Sequence, residues 1–249
     1  MDNQATDHQA SNPRIVPRPG EVPNAKRDAA EAFAILQAGG TIIAPMDVGY
    51  TVMSASVEGI EKLFAAKKRQ PGHTLGVIGT YASHLQLHDL PPEKYNITRT
   101  LTEELGMTIG VIAKIKDSAR QLLPCLDQVT KNNTLGIAIS EGPFQRELGR
   151  LNDENHQLVI GSSANVTGQG QKFVVSDIEP EILAAADLIV DYGRQKWSLY
   201  GRAGTVIDVE NERVLRIGAN YEGIREKLTA WFGWTLPEDP EFGAQSQKA

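Results

Sequence analysis

The stretch Gly39–Leu75, GGTIIAPMDVGYTVMSASVEGIEKLFAAKKRQPGHTL, passes from an apolar strand through a polar turn into a helix that ends in cations. Few chain orders are as restrictive, because each step fixes which face the next one buries. Thr41–Ala44 is short, apolar and rich in β-branched residues, which predicts a strand; Pro45, Asp47 and Gly49 then break it and turn the chain. Ser56 has the chemistry of a helix N-cap, and after it Ile60, Leu63, Phe64 and Lys67 keep the i, i+3, i+4, i+7 spacing of one buried face. Lys67 therefore continues an inward stripe, and Arg69 lies just past the helix end. The two cations can converge on one anion, or Lys67, Lys68 and Arg69 can simply complement the negative end of the helix dipole, worth ~0.3–1 kcal/mol.

At 249 residues the chain can bury a full core without a covalent staple. No apolar run approaches the ~20 residues of a membrane span, so no membrane partner is expected. The opening residues lack the basic-then-apolar order of a secretory signal, and the single Cys125 excludes an intramolecular disulfide. Cytoplasmic localisation is the resulting expectation. A formal net charge of -6 argues against non-specific binding of long nucleic acid, although a local basic patch stays open. His84 and His88 are four apart and could share a helix face, but no third ligand accompanies them, so they read as surface histidines and no metal site is predicted. Cys125, behind Pro124 and without a nucleophile motif, reads as an inert small hydrophobe.

Along the chain, residues 1–24 are polar, proline-bearing and aperiodic, which predicts a mobile tail, and residues 237–249 read the same way. From Asn24, a potential cap, Ala29, Ala32, Phe33 and Leu36 predict a helix that stops at Gly39-Gly40. Further helices are predicted over 57–68, from Pro91-Pro92 to Gly106, from Pro143 to about Leu151, and around Tyr221, Ile224, Leu228 and Trp231. Strands are predicted at 74–79, 107–115, 135–139, 157–160, 188–191, 204–208 and 213–216, the last two as a hairpin. No repeat or linker interrupts residues 25–235. Strands in runs with helices between them imply a single α/β domain, residues 25–236, with a mixed sheet.

A second turn, Gly161–Gly168, follows the 157–160 strand. Its small residues allow backbone amides to wrap an anion, and Ser163 and Asn165 add a hydroxyl and an amide. Turn chemistry alone also accounts for Ser, Asn and Gly at these positions.

Lys67-Lys68-Arg69 and Ser163-Ala164-Asn165 together resemble the K-x-R and S-x-N motifs of the threonylcarbamoyl-adenylate synthase family, with its YrdC-like fold. The similarity extends over residues 25–220: Gly39-Gly40, the P-x-D-x-x-Y turn at Pro45, Asp47 and Tyr50, Leu75, Gly168, the Thr205–Asp208 strand, and Arg216-x-Gly218. The resemblance implies a twisted mixed sheet flanked by helices around a central cleft. It also implies condensation of threonine, bicarbonate and ATP into threonylcarbamoyl-adenylate with release of pyrophosphate, for later transfer to tRNA. Lys67, Arg69, Ser163, Asn165 and Thr205 would then hold the nucleotide, with Mg²⁺ on its phosphates, Lys67 and Arg69 acting as the catalytic cations. Asp47, Val48 and Tyr50 would hold the acid substrate, although Asp47 also suits a turn and Tyr50 a core aromatic.

The chain departs from the family pattern at several places. Met46 and Val48 stand where the family has threonines, His73-Thr74-Leu75 replaces K-P-L, Glu104–Thr108 replaces P-G-P-x-T, and Ala138-Ile139-Ser140 replaces R-x-P. These changes imply a carboxylic or amino acid other than threonine. Two readings follow: an adenylate-forming enzyme with a different acid substrate, or a non-catalytic relative that binds a nucleotide or RNA, double-stranded RNA included, through the same cleft.

Overall fold

Local chemistry sets most element boundaries in the computed structural model, which describes residues 12–69 and 73–241. Asn24 accepts the amide of Arg27 at 3.1 Å and starts α1 (Ala25–Gln37); Gly39, at φ 83°, turns the chain out of it. Ser56 caps α2 (Val57–Ala66) by accepting the Gly59 amide at 3.0 Å. The other helices are α3 (Tyr81–Leu87), α4 (Pro92–Arg99), α5 (Leu126–Val129), α6 (Pro143–Glu154), α7 (Pro180–Leu183) and α8 (Tyr221–Phe232). A π-helical turn, Thr100–Glu104, extends α4. Among the described residues no helix is long and apolar enough to cross a membrane.

The strands are β1 (Arg14–Ile15), β2 (Thr41–Met46), β3 (Gly49–Ser54), β4 (Gly76–Gly79), β5 (Ile109–Lys114), β6 (Thr130–Lys131), β7 (Thr134–Ile139), β8 (Ile160–Ser163), β9 (Leu188–Val190), β10 (Val206–Asp208) and β11 (Arg213–Arg216). They form one mixed sheet in the order β1-β9-β2-β3-β8-β4-β7-β5-β10-β11, with β6 beside β7. One face of β4, β7 and β5 carries Val77, Ile137, Val111 and Ile109, packed with Leu87, Leu101, Ile224 and Leu228 from α3, the π turn and α8. The opposite face is covered at the β2 end by α1 and α6 through Ala32, Phe33, Phe144 and Leu148. Between them lies a stretch of sheet without a helix over it, and this is where the cleft forms.

β3 is absent from the sequence reading for a physical reason. Ile43, Tyr50, Val52 and Leu63 pack on the other side of the β2–β3 hairpin, so all six residues of each strand are buried and the alternation that marks a half-exposed strand vanishes. α3 was likewise not predicted. Several other expectations are corrected. His84 and His88 are fully buried rather than at the surface, their Nδ1 atoms 2.7 Å apart. Trp231 is exposed, and Trp234 is the buried indole after α8.

The supposed tails are also partly docked. Arg14–Ile15 pairs in parallel with β9, and the Asn12 side chain donates to the main-chain oxygens of Leu183 and Ala186. At the other end Tyr221 donates to the Pro237 oxygen, and Arg202 makes a two-pronged contact with Asp239 at 3.0 and 2.7 Å. Residues 1–11 and 242–249 lie outside the described residues.

Candidate active site

Lys67 caps the C-terminus of α2 and is 1% exposed, as its place on the apolar stripe requires. Its ammonium donates to the main-chain oxygens of Ser163 at 2.5 Å and Asn165 at 2.6 Å. Burial first, and the nearby Arg69 second, lower its pKa to about 7. Lys68 takes a left-handed conformation, φ 50°, and pairs outward with Glu181. That bend brings Arg69 back: Nη1 donates to Thr74 O at 2.5 Å and Nη2 to Ser162 Oγ at 2.6 Å. The first and last positions of K-x-R thus grip the same turn from below and from the side.

The turn's amides do not form the anion cradle expected from the sequence. Ala164 N donates to Tyr50 O, Asn165 N to Ser163 O, Val166 N to Glu179 Oε2 and Thr167 N to Lys67 O. An anion bound here would have to be met by side chains. Two buried polar atoms at this place have no protein partner among the described residues: Arg69 Nε, a donor, and Asn165 Oδ1, an acceptor. Orphans of this kind cost ~1–3 kcal/mol each unless a ligand or water meets them.

Beside the turn lies a cleft of about 220 Å³ on the bare face of the sheet. Gly76, Gly110 and Gly136 form its floor, where a Cβ on Gly110 would come within 2.9 Å of Val206 and one on Gly76 within 3.0 Å of Gly136 O. Met46, Val48 and Ala138 make one wall apolar, and the Thr51 hydroxyl donates to the Met46 sulfur. Ser162, Ser163 and Arg216 supply polar groups at the rim.

Of the residues proposed from sequence, Ser163 and Val48 line the cleft, while Lys67, Arg69 and Asn165 stand behind its Ser162–Ser163 edge. Asp47 is held by the hydroxyl of Thr108 at 2.9 Å and that of Ser140 at 3.4 Å, next to the cleft but tied into the wall. Tyr50 lies elsewhere. Its hydroxyl donates its one proton to Gly193 O at 2.8 Å, lies 3.1 Å from Asp191 Oδ1 and receives Tyr192 N, and burial followed by the Asp191 charge raises its pKa, so it braces the 191–195 loop. The Thr205 hydroxyl bridges Ala219 O and Gly218 N and is fully buried, so it joins two backbone segments rather than facing a nucleotide. Gln171, which does line the cleft, carried no sequence signal beyond neighbouring glycines. Among the described residues no group of three or more His, Cys, Asp or Glu side chains could hold a metal ion.

Residues 34–218 match the family model Sua5_yciO_yrdC, described as telomere recombination. The chain belongs to this Sua5/YciO/YrdC family. Over 174 residues it is 22% identical to a protein of Methanocaldococcus jannaschii assigned provisionally as a threonylcarbamoyl-AMP synthase, covering 68% of this chain and 73% of that one. Its fold is similar to a hypothetical protein of Streptococcus mutans (TM-score 0.71, 21% identity, 90% of this chain and 96% of that one). It is also similar to P. abyssi Sua5 complexed with L-threonine (0.68, 14%, 90% of this chain but 62% of that one) and to E. coli YciO (0.62, 19%, 83% and 94%). Of the departures noted from sequence in this Sua5/YciO/YrdC chain, Met46, Val48 and Ala138 line the cleft, whereas His73, Thr74 and Glu104 do not.

Proposed function

We propose that this protein is a nucleotidyltransferase of the threonylcarbamoyl-AMP synthase type, which binds ATP in the cleft and forms an acyl or carbamoyl-acyl adenylate with release of pyrophosphate. The observation that carries this reading is the joining of Lys67 and Arg69 to the Ser162–Asn165 turn, with a buried donor on Arg69 and a buried acceptor on Asn165 left without protein partners. An acid or carbamate oxygen attacks the α-phosphorus, the bond to the bridging oxygen breaks, and negative charge grows on the departing pyrophosphate. On this reading the guanidinium of Arg69, the ammonium of Lys67 and the hydroxyl of Ser163 would stabilise that charge. Mg²⁺ would ride on the phosphates and share their charge, the usual arrangement for an ion that keeps several waters. A carbamate formed beforehand needs no general base.

The apolar wall favours an acid other than threonine. It also supports the second reading, a nucleotide- or RNA-binding relative without turnover, since Ala138 removes the arginine expected near the reacting acid. Calorimetric titration with ATP and with pyrophosphate decides the site, comparing wild type with Arg69→Ala and with Lys67→Ala plus Arg69→Ala. Loss of charge-assisted contacts at ~1.5–3 kcal/mol each should weaken binding at least tenfold in the single variant. Unchanged affinity in both would sink the site. Pyrophosphate release from ATP and bicarbonate, with a panel of acids, then separates the enzyme from the silent binder.

A further inference from the structure

The loop from Val166 to Lys172 is pinned at both ends and carries one side chain into the cleft. Glu179 accepts Val166 N at 3.2 Å and pairs with Lys172 Nζ at 2.6 Å, and Tyr50 N donates to Lys172 O at 2.9 Å. Between these anchors Gly168 and Gly170 take φ 87° and 72°, conformations that suit glycine. Gln171 projects from this frame. Its Nε2 donates to Tyr50 O at 3.0 Å and lies 3.4 Å from Lys172 O.

Two carbonyl oxygens on one end of the amide fix which end is nitrogen, so the orientation is set by chemistry. Oε1 is left as an acceptor with no protein donor among the described residues, on a side chain that lines the cleft together with Met46, Val48 and Ser163. The backbone makes room for this. Gly49 sits at φ 143°, and a Cβ there would lie 2.4 Å from Gln171 Nε2 and 2.6 Å from Lys172 O. Of the hydroxyls of this wall, those of Thr51 and Thr108 are already committed, to Met46 and to Asp47.

We infer that Gln171 is a specificity-determining residue, its fixed Oε1 accepting an N–H from the acid substrate, either the amine of an amino acid or the nitrogen of its carbamate. The inference rests on the adenylate-forming reading above and deepens it. A rigid neutral acceptor beside an apolar wall favours a ligand with a nitrogen donor and an apolar side chain, and it disfavours the same acid without its nitrogen, because the acceptor would then be buried unpaired.

The test is equilibrium binding to the full chain, with a non-hydrolysable ATP analogue present and absent, of L-valine and of 3-methylbutanoate, which has the same carbon skeleton without the amine. Wild type should prefer L-valine by roughly tenfold or more. Gln171→Met and Gln171→Leu should reduce that ratio to about threefold or less, by weakening L-valine alone, with analogue affinity within about twofold of wild type. In turnover the same substitutions should raise KM for the amino acid and leave KM for ATP unmoved. Equal wild-type affinities, or a preference that survives both substitutions, overturns the assignment. If both variants lose the analogue as well, Gln171 is a fold element and the assignment also falls. If wild type binds the acids with the expected preference but no analogue, the adenylate reading fails while Gln171 keeps its role.

Discussion

The ammonium of Lys67 lies 2.5 Å from the main-chain oxygen of Ser163, so two motifs separated by 96 positions in the sequence form one unit. The contact is buried, and the main-chain oxygen of Asn165 accepts from the same ammonium at 2.6 Å. Lys67→Met keeps the stem and deletes the donors, leaving Asn165 O short of a partner at ~1–3 kcal/mol while Ser163 O keeps the Asn165 amide. Urea unfolding should show a loss of about 1–3 kcal/mol at pH 9, where the folded lysine is neutral and the substitution relieves no buried charge. A loss below ~0.5 kcal/mol would mean that the turn holds itself.

The same lysine predicts a pH dependence. With a pKa near 7 in the folded protein, Lys67 passes from ammonium to amine as pH rises through neutrality. Pyrophosphate or ATP affinity should therefore fall between pH 6 and 8.5, or binding should take up a proton. Phosphate ionisation also changes over this range, so Lys67→Arg is the control: its charge persists and its slope should be flatter. For stability, the unfolded lysine titrates near 10.4 and binds more protons than the folded one between about 7 and 10.4, so this residue's contribution rises with pH across that window.

His84 and His88 predict the opposite end of the scale. His88 Nε2 lies 3.0 Å from Leu135 O and donates to it, which leaves its Nδ1 to accept the Nδ1–H of His84. His84 Nε2 is then a buried lone pair without a partner among the described residues. Burial foremost lowers their pKa values to about 3 and about 4. Both rings are neutral when folded, whereas the unfolded chain protonates them near 6.5. Stability should be full above that pH and fall as pH drops from about 6.5 toward 4, by up to ~1.4 kcal/mol per pH unit for each ring. His84→Phe should remove about half of that slope in urea titrations across pH. An unchanged slope would assign acid sensitivity to other groups.

Much of the site was legible because it follows local periodicity. The stripe Ile60, Leu63, Lys67 placed the lysine inward, and Ser56 placed the start of its helix. Matters decided by long-range packing were not legible. The burial of the histidines depends on which side of α3 meets β7, and a helix face spaced by four does not state that. The role of Tyr50 depends on the 191–195 loop, more than a hundred residues away, and the amides of the second turn are used up by Tyr50, Lys67 and Glu179. Arg14–Ile15 forms a strand because β9 offers an edge, a fact that two residues of sequence cannot carry.

The C-terminal segment provides a test of such a hidden contact. Asp239 is 3% exposed and engages Arg202 through both oxygens, while Pro237 O accepts the Tyr221 hydroxyl. Arg202 immediately precedes Ala203 and Gly204, which line the cleft. Removing residues 237–249 should cost ~1–3 kcal/mol, roughly 2–12 °C in Tm for a domain of this size, because the guanidinium loses a charge-assisted pair. Asp239→Asn should reproduce part of the loss in thermal melts. Equal melting of the shortened and full chains would show the segment to be passive.

The wall built by Met46 and Val48 carries the last prediction. Both side chains face the cleft, Thr51 spends its hydroxyl on the Met46 sulfur, and Ala138 offers no charge, so a substrate hydroxyl entering here finds few partners on that side. Valine and threonine have nearly the same shape and differ by that hydroxyl, which makes them the sharpest pair to compare. An apolar pocket separates such isosteres by only ~10–200-fold, whereas a site built to bond the hydroxyl can discriminate ~10⁴-fold. Wild type should therefore favour L-valine over L-threonine within the smaller range, read as kcat/KM for pyrophosphate release from ATP and bicarbonate. Met46→Thr plus Val48→Thr places hydroxyls at both positions and should narrow or reverse the preference, with the KM for ATP unchanged because the proposed phosphate site is on the Ser163 side. If wild type consumes L-threonine as fast as any other acid, the replacements at 46 and 48 do not set specificity.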